Sequence, residues 1–81
     1  MNESVLIVGA GSGLSASLAH LCASKGMKVI LAARNIEKLQ NLKKEIGANT
    51  IKCDATNIKS VTNLFKKTDK IIGAPNLVIY N

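Results

Sequence analysis

The stretch that decides the fold is residues 8–16, Val8-Gly9-Ala10-Gly11-Ser12-Gly13-Leu14-Ser15-Ala16. It follows Ser4 to Val8, a branched apolar run that is typical of a buried parallel strand. After the glycines, apolar residues recur at helical spacing: Leu14, Leu18, Leu21 and Cys22. Gly26 then suits the position that follows a helix end. A glycine cluster between a strand and a helix predicts the opening of a βαβ unit.

The same alternation continues along the chain. Further strands are predicted at Lys28 to Ala33, Thr50 to Cys53 and Leu77 to Tyr80. A second helix is capped by Asn35, is closed by Gly47 and carries one apolar stripe: Ile36, Leu39, Leu42 and Ile46. A third is capped by Asn57, with apolar residues on one side and lysines on the other; the apolar ones are Ile58, Val61, Leu64 and Phe65.

The order β-α-β-α-β-α-β predicts an α/β fold with a Rossmann-like parallel sheet and helical crossovers. Right-handed crossovers place the first two helices on one face of the sheet. If the chain then returns past the first strand, the strand order is 3-2-1-4, and the third helix covers the opposite face alone.

Glycines are needed at this turn for physical reasons. One permits a tight turn, another lets the backbone approach a pyrophosphate, and a third small residue lets the helix pack close to the strand. The free N–H groups and positive end of the helix dipole then face the phosphates. The pattern predicts dinucleotide binding; a glycine-rich turn without a ligand is the alternative.

Composition narrows the class of protein. Eighty-one residues allow one small domain, and 47% hydrophobic with 20% charged residues excludes a disordered chain. No apolar run approaches a bilayer span, no signal peptide is present, and Cys22 and Cys53 match no zinc spacing. We therefore expect a cytoplasmic protein without a membrane or metal site, in which both cysteines are core residues and His20 is structural.

The net charge of +6 comes mostly from scattered lysines, with Arg34 the one arginine and Phe65 and Tyr80 the only aromatic residues. Nucleic-acid binders cluster charge and add arginines or stacking aromatics. We expect solvated helix faces and no nucleic-acid partner.

The glycine stretch resembles the T-G-x-x-x-G-x-G signature of the short-chain dehydrogenases/reductases, with Gly9 and Gly13 on its first two glycines. Val8 replaces the threonine and Ser15 the last glycine, which puts a Cβ at a close contact. In a second register, Gly11, Gly13 and Ala16 satisfy the general pattern G-x-G-x-x-A.

Three further segments carry the resemblance. Ala32-Ala33-Arg34-Asn35 is similar to the end of the second strand in members that prefer NADP, and Cys53-Asp54-Ala55-Thr56 to the D-[VA]-[TS] stretch beside the adenine. Residues 75–81 resemble the approach to the N-N-A-G motif, with Asn81 on its second asparagine. The resemblance implies NADP rather than NAD, and these cofactor-binding residues: Gly9, Gly11, Ser12, Gly13, Leu14, Arg34, Asp54, Ala55 and Asn81. Alternatively, Asp54 caps a turn, Arg34 is solvated and Asn81 has no role.

The family's catalytic serine and Y-x-x-x-K pair have no counterpart in the 81 residues. We expect residues 1–81 to be one partial NAD(P)-binding Rossmann domain, truncated after the fourth strand. The expected function is the NADP(H)-binding portion of an oxidoreductase, catalytically incomplete as given; a non-catalytic dinucleotide-binding or redox-sensing module is the alternative. An exposed fourth strand and uncovered apolar sheet surface predict a homo-oligomer.

Overall fold

A computed structural model describes residues 3–10 and 13–80 of the chain. The strands are β1 (Ser4–Val8), β2 (Lys28–Ala33), β3 (Asn49–Lys52) and β4 (Leu77–Tyr80). The helices are α1 (Gly13–Ser24), α2 (Gln40–Ile46), which a 3₁₀ turn (Ile36–Leu39) precedes, and α3 (Ile58–Ile72). The four strands form one parallel sheet in the order β3-β2-β1-β4. The predicted fold class and strand order are confirmed.

The sheet separates two apolar layers. One layer joins alternate residues of β1 and β2 to α1 and the segment around α2: Val5, Ile7, Ala19, Cys22, Val29, Leu31, Ala33, Leu39 and Ala48. The other joins the intervening strand residues to β3 and α3: Leu6, Val8, Ile30, Ala32, Ile51, Cys53 and Leu64. Because β1 and β2 are buried on both faces, they are continuous apolar runs rather than alternating ones. Within residues 3–10 and 13–80, the third helix covers its face of the sheet alone, as predicted.

The buried face of α1 differs from the predicted leucine stripe. Ser15, Ala19 and Cys22 are buried, whereas Leu14 is 64% exposed and Leu21 is 53% exposed. Small side chains let a helix approach a sheet closely, and this favours the serine and alanine face. Ser15, which stands where the family signature has its last glycine, is fully buried with its Cβ in place.

The predicted ends of the elements are mostly confirmed. Asn35 accepts a hydrogen bond from the Glu37 N–H (3.0 Å), and Asn57 accepts one from the Ser60 N–H (3.2 Å). Gly47 closes α2 with φ 68°, in the left-handed region that favours glycine. Two details differ: β3 begins and ends one residue earlier than predicted, and the turn after Asn35 is 3₁₀ rather than α.

Hydrogen bonds between Ser4 and Asn76, which we call the polar clasp, hold β4 against β1. The Asn76 carboxamide oxygen accepts from the Ser4 N–H at 2.9 Å, and the Asn76 N–H donates to the Ser4 carbonyl at 3.0 Å. Ser4 is buried, so these bonds replace water at the start of β1. The clasp fixes the register in which Val5 lies opposite Leu77.

Candidate functional site

A cleft of about 630 Å³ opens where β1, β2 and β3 end. In open α/β sheets, ligands bind outside the carboxyl ends of the strands, at the point where the strand order reverses. Here that point lies at β1, which is flanked by β2 and β4. The cleft is lined by residues that follow all three strands: Gly9, Ala10, Ala33, Arg34, Asn35, Lys38, Cys53 and Ala55.

The β1 side of the cleft is a tight turn bonded to β2. The N–H groups of Gly9 and Ala10 both donate to the Ala32 carbonyl, at 2.8 and 3.0 Å. Gly9 has φ 84°, a conformation that side chains rarely adopt. The described part of the turn, Gly9 and Ala10, therefore presents small residues to the cleft and leaves room for a bulky ligand group.

Gly13 begins α1 in open space. A Cβ added to it meets no heavy atom within 4 Å, and its backbone is helical, so neither packing nor strain requires glycine there. A glycine without a structural cause at a helix start fits close approach by an anionic ligand. A glycine at this helix start that neither packing nor strain explains is an observation on the chain itself that favours phosphate binding.

The β2 side of the cleft carries positive charge. Arg34 is exposed directly after β2, and Lys38 lies one turn further on. The 3₁₀ turn that Asn35 caps directs the chain around this corner, which brings both cations to one wall. None of the described residues that line the cleft bears a carboxylate. A guanidinium in such a place suits a phosphate, because it offers two parallel donors.

Asp54 closes a turn after β3. Its Oδ1 accepts from the Thr56 hydroxyl at 2.7 Å and from the Thr56 N–H at 3.0 Å. These bonds favour the charged form and lower the pKa of the carboxyl below its ordinary value, with a smaller contribution from the charge of Arg34. The Asp54 N–H donates to the Ser60 hydroxyl at 2.9 Å, which ties the turn to α3. The alternative that Asp54 caps a turn is therefore realised in this structure.

The structure brings three of the predicted cofactor residues into the cleft: Gly9, Arg34 and Ala55. Gly13 and Leu14 begin α1 and do not line it, and Asp54 lines an adjoining hollow. Gly11, Ser12 and Asn81 lie outside the described residues. The predicted set omitted five residues that line the cleft: Ala10, Ala33, Asn35, Lys38 and Cys53. Ala10 and Cys53 follow strand ends, which is the signal that could have indicated them.

The two cysteines and His20 were expected to be structural residues. Cys22 and Cys53 are buried free thiols. His20 is exposed rather than packed among leucines, and its Nε2 lies 3.0 Å from Oε2 of Glu45, which joins α1 to α2. Within residues 3–10 and 13–80, no cluster of three metal-ligating side chains occurs. In the same residues, no helix has the length and apolarity to cross a bilayer.

The family model for short chain dehydrogenases matches residues 3–81. This chain belongs to that family. An uncharacterized oxidoreductase of Staphylococcus aureus (strain USA300) is 38% identical over 77 residues, which cover 91% of this chain and 33% of the relative. The chain thus spans about a third of the length of the curated relatives it matches.

Solved structures of the family have the same fold. A variant of the actinorhodin polyketide ketoreductase with NADPH superposes with a TM-score of 0.92 at 25% identity, over 99% of this chain and 33% of that one. A metagenomic short-chain oxidoreductase in complex with NADP gives 0.83 at 25% identity, over 94% and 37%. Both are described as binding a phosphorylated nicotinamide dinucleotide.

Proposed function

We propose that this chain is the dinucleotide-binding portion of an oxidoreductase that prefers NADP(H) to NAD(H). One observation carries the proposal: Ala33 and Arg34 line the same cleft as the Gly9 turn, with no carboxylate among the lining residues that the structure describes. An enzyme that prefers NAD usually places an acidic side chain at this position, where it accepts from the ribose 2′-hydroxyl. Ala33 has nothing to accept with, and Arg34 offers donors to a 2′-phosphate.

The comparisons support both halves of this proposal. Relatives over most of the chain are described as oxidoreductases, which favours an enzyme over a non-catalytic redox-sensing module. Two neighbours at 25% identity are described with NADPH or NADP. Arg34 is the residue through which that preference would extend to this chain.

When the dinucleotide is bound, its nicotinamide would supply or accept a hydride. The residues described here would bind and orient the phosphates and the adenosine half of the dinucleotide. The turn at Gly9 and the start of α1 at Gly13 offer close backbone approach to the pyrophosphate, and Arg34 and Lys38 attract the 2′-phosphate. Ala55 borders the cleft beside the Asp54 turn, on the side proposed for the adenine.

The magnitude of the preference follows from Arg34. Charge-assisted hydrogen bonds contribute about 1.5–3 kcal/mol, which corresponds to an NADP preference of about 10–100-fold. The contribution of Lys38 is smaller, because a single ammonium on an exposed stem is screened by solvent.

The experiment is a calorimetric titration of NADPH and NADH into the 81-residue chain and three variants. Arg34→Ala should lose most of the preference, and Ala33→Asp should move it toward NADH, because a carboxylate then faces the phosphate. Lys44→Ala, an exposed lysine of α2 outside the cleft, is the matched control and should change neither affinity. Equal or tighter binding of NADH by the unmodified chain would overturn the assignment of Arg34.

A further inference from the structure

A second groove runs along the outer edge of β3, separate from the β1 turn. Its upper part, at the carboxyl end of β3, is a hollow of about 450 Å³ lined by Arg34, Lys52, Asp54, Ser60 and Lys67. Its lower part, beside Thr50 and Ile51 within β3, is a hollow of about 340 Å³; the other lining residues are Lys67, Lys70 and Ile71. The two hollows share Lys67, and we call them together the edge groove. Along α3 it extends from Ser60 to Ile71, about 17 Å at 1.5 Å per residue.

One wall of the edge groove is an open strand edge. Among the described residues, β3 is the outermost strand and pairs with β2 alone. The Cys53 N–H donates to the Ala33 carbonyl at 2.9 Å, so the backbone of Cys53 and of Ile51 points toward β2. The backbone groups of Thr50 and Lys52 point outward instead, toward the groove. They offer donors and acceptors to one more strand.

The other wall is basic. Lys67 and Lys70 lie on the flank of α3 that faces β3, and Lys52 and Arg34 line the groove from the sheet side. None of these cations is in an ion pair with a carboxylate of the described residues. The one acidic lining residue, Asp54, already accepts two hydrogen bonds from Thr56.

The lower part of the groove also has an apolar surface. Ile71 is 44% exposed on α3, beside Ile51 of the strand. This combination of open backbone groups, lysines and an exposed isoleucine differs from a nucleic-acid surface, which would supply aromatic side chains for stacking. It matches a peptide whose side chains alternate between acidic and apolar.

We propose that the edge groove binds an extended acidic peptide, which adds to the sheet as a strand beside β3. About five extended residues, at about 3.3 Å each, match its length. Backbone hydrogen bonds to Thr50 and Lys52 supply affinity, and carboxylates facing Lys67 and Lys70 supply specificity. The lysines have a second effect, since they repel basic strands and a second copy of this edge. The occupant selected is therefore acidic and extended.

The test uses a fluorescein-labelled ten-residue peptide of alternating glutamate and valine, followed by fluorescence anisotropy at about 150 mM salt. The variant Lys67→Glu/Lys70→Glu should weaken binding by at least about tenfold, because like charges then face each other. Lys43→Glu/Lys44→Glu makes the same change of charge on α2, across the sheet from α3, and should weaken binding less than about twofold. Lys67→Arg/Lys70→Arg should retain binding. Lys44, Lys67 and Lys70 are exposed and Lys43 is half-buried, and circular dichroism checks that each variant is folded.

Two further probes separate the alternatives. A peptide of the same sequence with alternate N-methylated amides should lose binding, because it lacks the donors for strand addition. A labelled single-stranded oligonucleotide should bind weakly and without sensitivity to Lys67 and Lys70. No binding of the unmodified peptide, equal loss in both glutamate double variants, or equal binding of the methylated peptide would each overturn the proposal. Tighter oligonucleotide binding that Lys67→Glu/Lys70→Glu abolishes would replace it with a nucleic-acid surface.

Discussion

Replacing Gly13 with alanine separates folding of this chain from binding of its proposed cofactor. The added Cβ meets no heavy atom within 4 Å, and the residue is the first of α1. Alanine restricts the unfolded chain more than glycine does, and a compatible Gly→Ala change stabilises by about 0.4–1 kcal/mol. For a domain of this size, that corresponds to an increase in Tm of about 2–8 °C. The same methyl group would occupy the space proposed for the phosphates, so the affinity for NADPH should fall by at least about tenfold, or ~1.4 kcal/mol.

Thermal unfolding by circular dichroism gives the first quantity and calorimetric titration with NADPH the second. Gly47→Ala is the matched control, because φ 68° strains any side chain at this position. Its free energy of unfolding should fall by about 1–2 kcal/mol. Its Tm should therefore fall as well, while its affinity for NADPH stays unchanged. A Gly13→Ala chain that binds NADPH as tightly as the unmodified one refutes the placement of phosphates at the start of α1. A lower Tm for that variant refutes the interpretation of Gly13 as structurally dispensable.

Three more outcomes are expected. In urea unfolding, Asn76→Ala should lower the free energy of unfolding by about 1–3 kcal/mol, because the N–H and hydroxyl of buried Ser4 lose their acceptor. The control Asn41→Ala, on the exposed face of α2, should change it by less than about 0.5 kcal/mol. Because the pKa of Asp54 is lowered, its contribution to stability is present at neutral pH and is lost as the pH falls below about 4. Between about pH 5 and pH 3, the Tm of Asp54→Asn should therefore fall less than the Tm of the unmodified chain. Parallel curves of Tm against pH for the two proteins would contradict the role of the Thr56 hydrogen bonds. The 81 residues alone should not oxidise NADPH with any of a panel of ketones and aldehydes, since they hold no Y-x-x-x-K pair; steady turnover would show that another residue supplies the acid.

Periodicity and turn chemistry predicted most of this fold, and the physical reason is local. Gly47 and Asn57 act within one turn of their own position, so the helix ends that they mark follow from the sequence alone. The buried face of α1 depends instead on how closely the helix approaches the sheet. Ser15 is buried and Leu14 is exposed, the opposite of what hydrophobicity favours, because the small side chain permits the closer contact.

The candidate site was partly predictable for a related reason. Strand ends and glycines are visible in sequence and led to the prediction of Gly9, Arg34 and Ala55, which the structure places at one cleft. The sequence did not indicate that Cys53 lines the cleft, because a core position alone accounts for a cysteine there. In the structure its side chain packs in the core, and the residue also borders the cleft. The edge groove depends on residues from β3 and α3 meeting across the fold, and no single segment of the sequence indicates it.

The position of β1 in the sheet has a kinetic consequence. It pairs on one side with β2, which follows after a single helix, and on the other side with β4, where Ser4 meets Asn76 across 72 positions. That second loop is about three times longer than the first, and closing it costs about 1 kcal/mol more in chain entropy. We expect β1, α1 and β2 to assemble first and β4 to dock last. During synthesis on the ribosome, the side of β1 that receives β4 therefore stays open until almost the whole of this segment has been made.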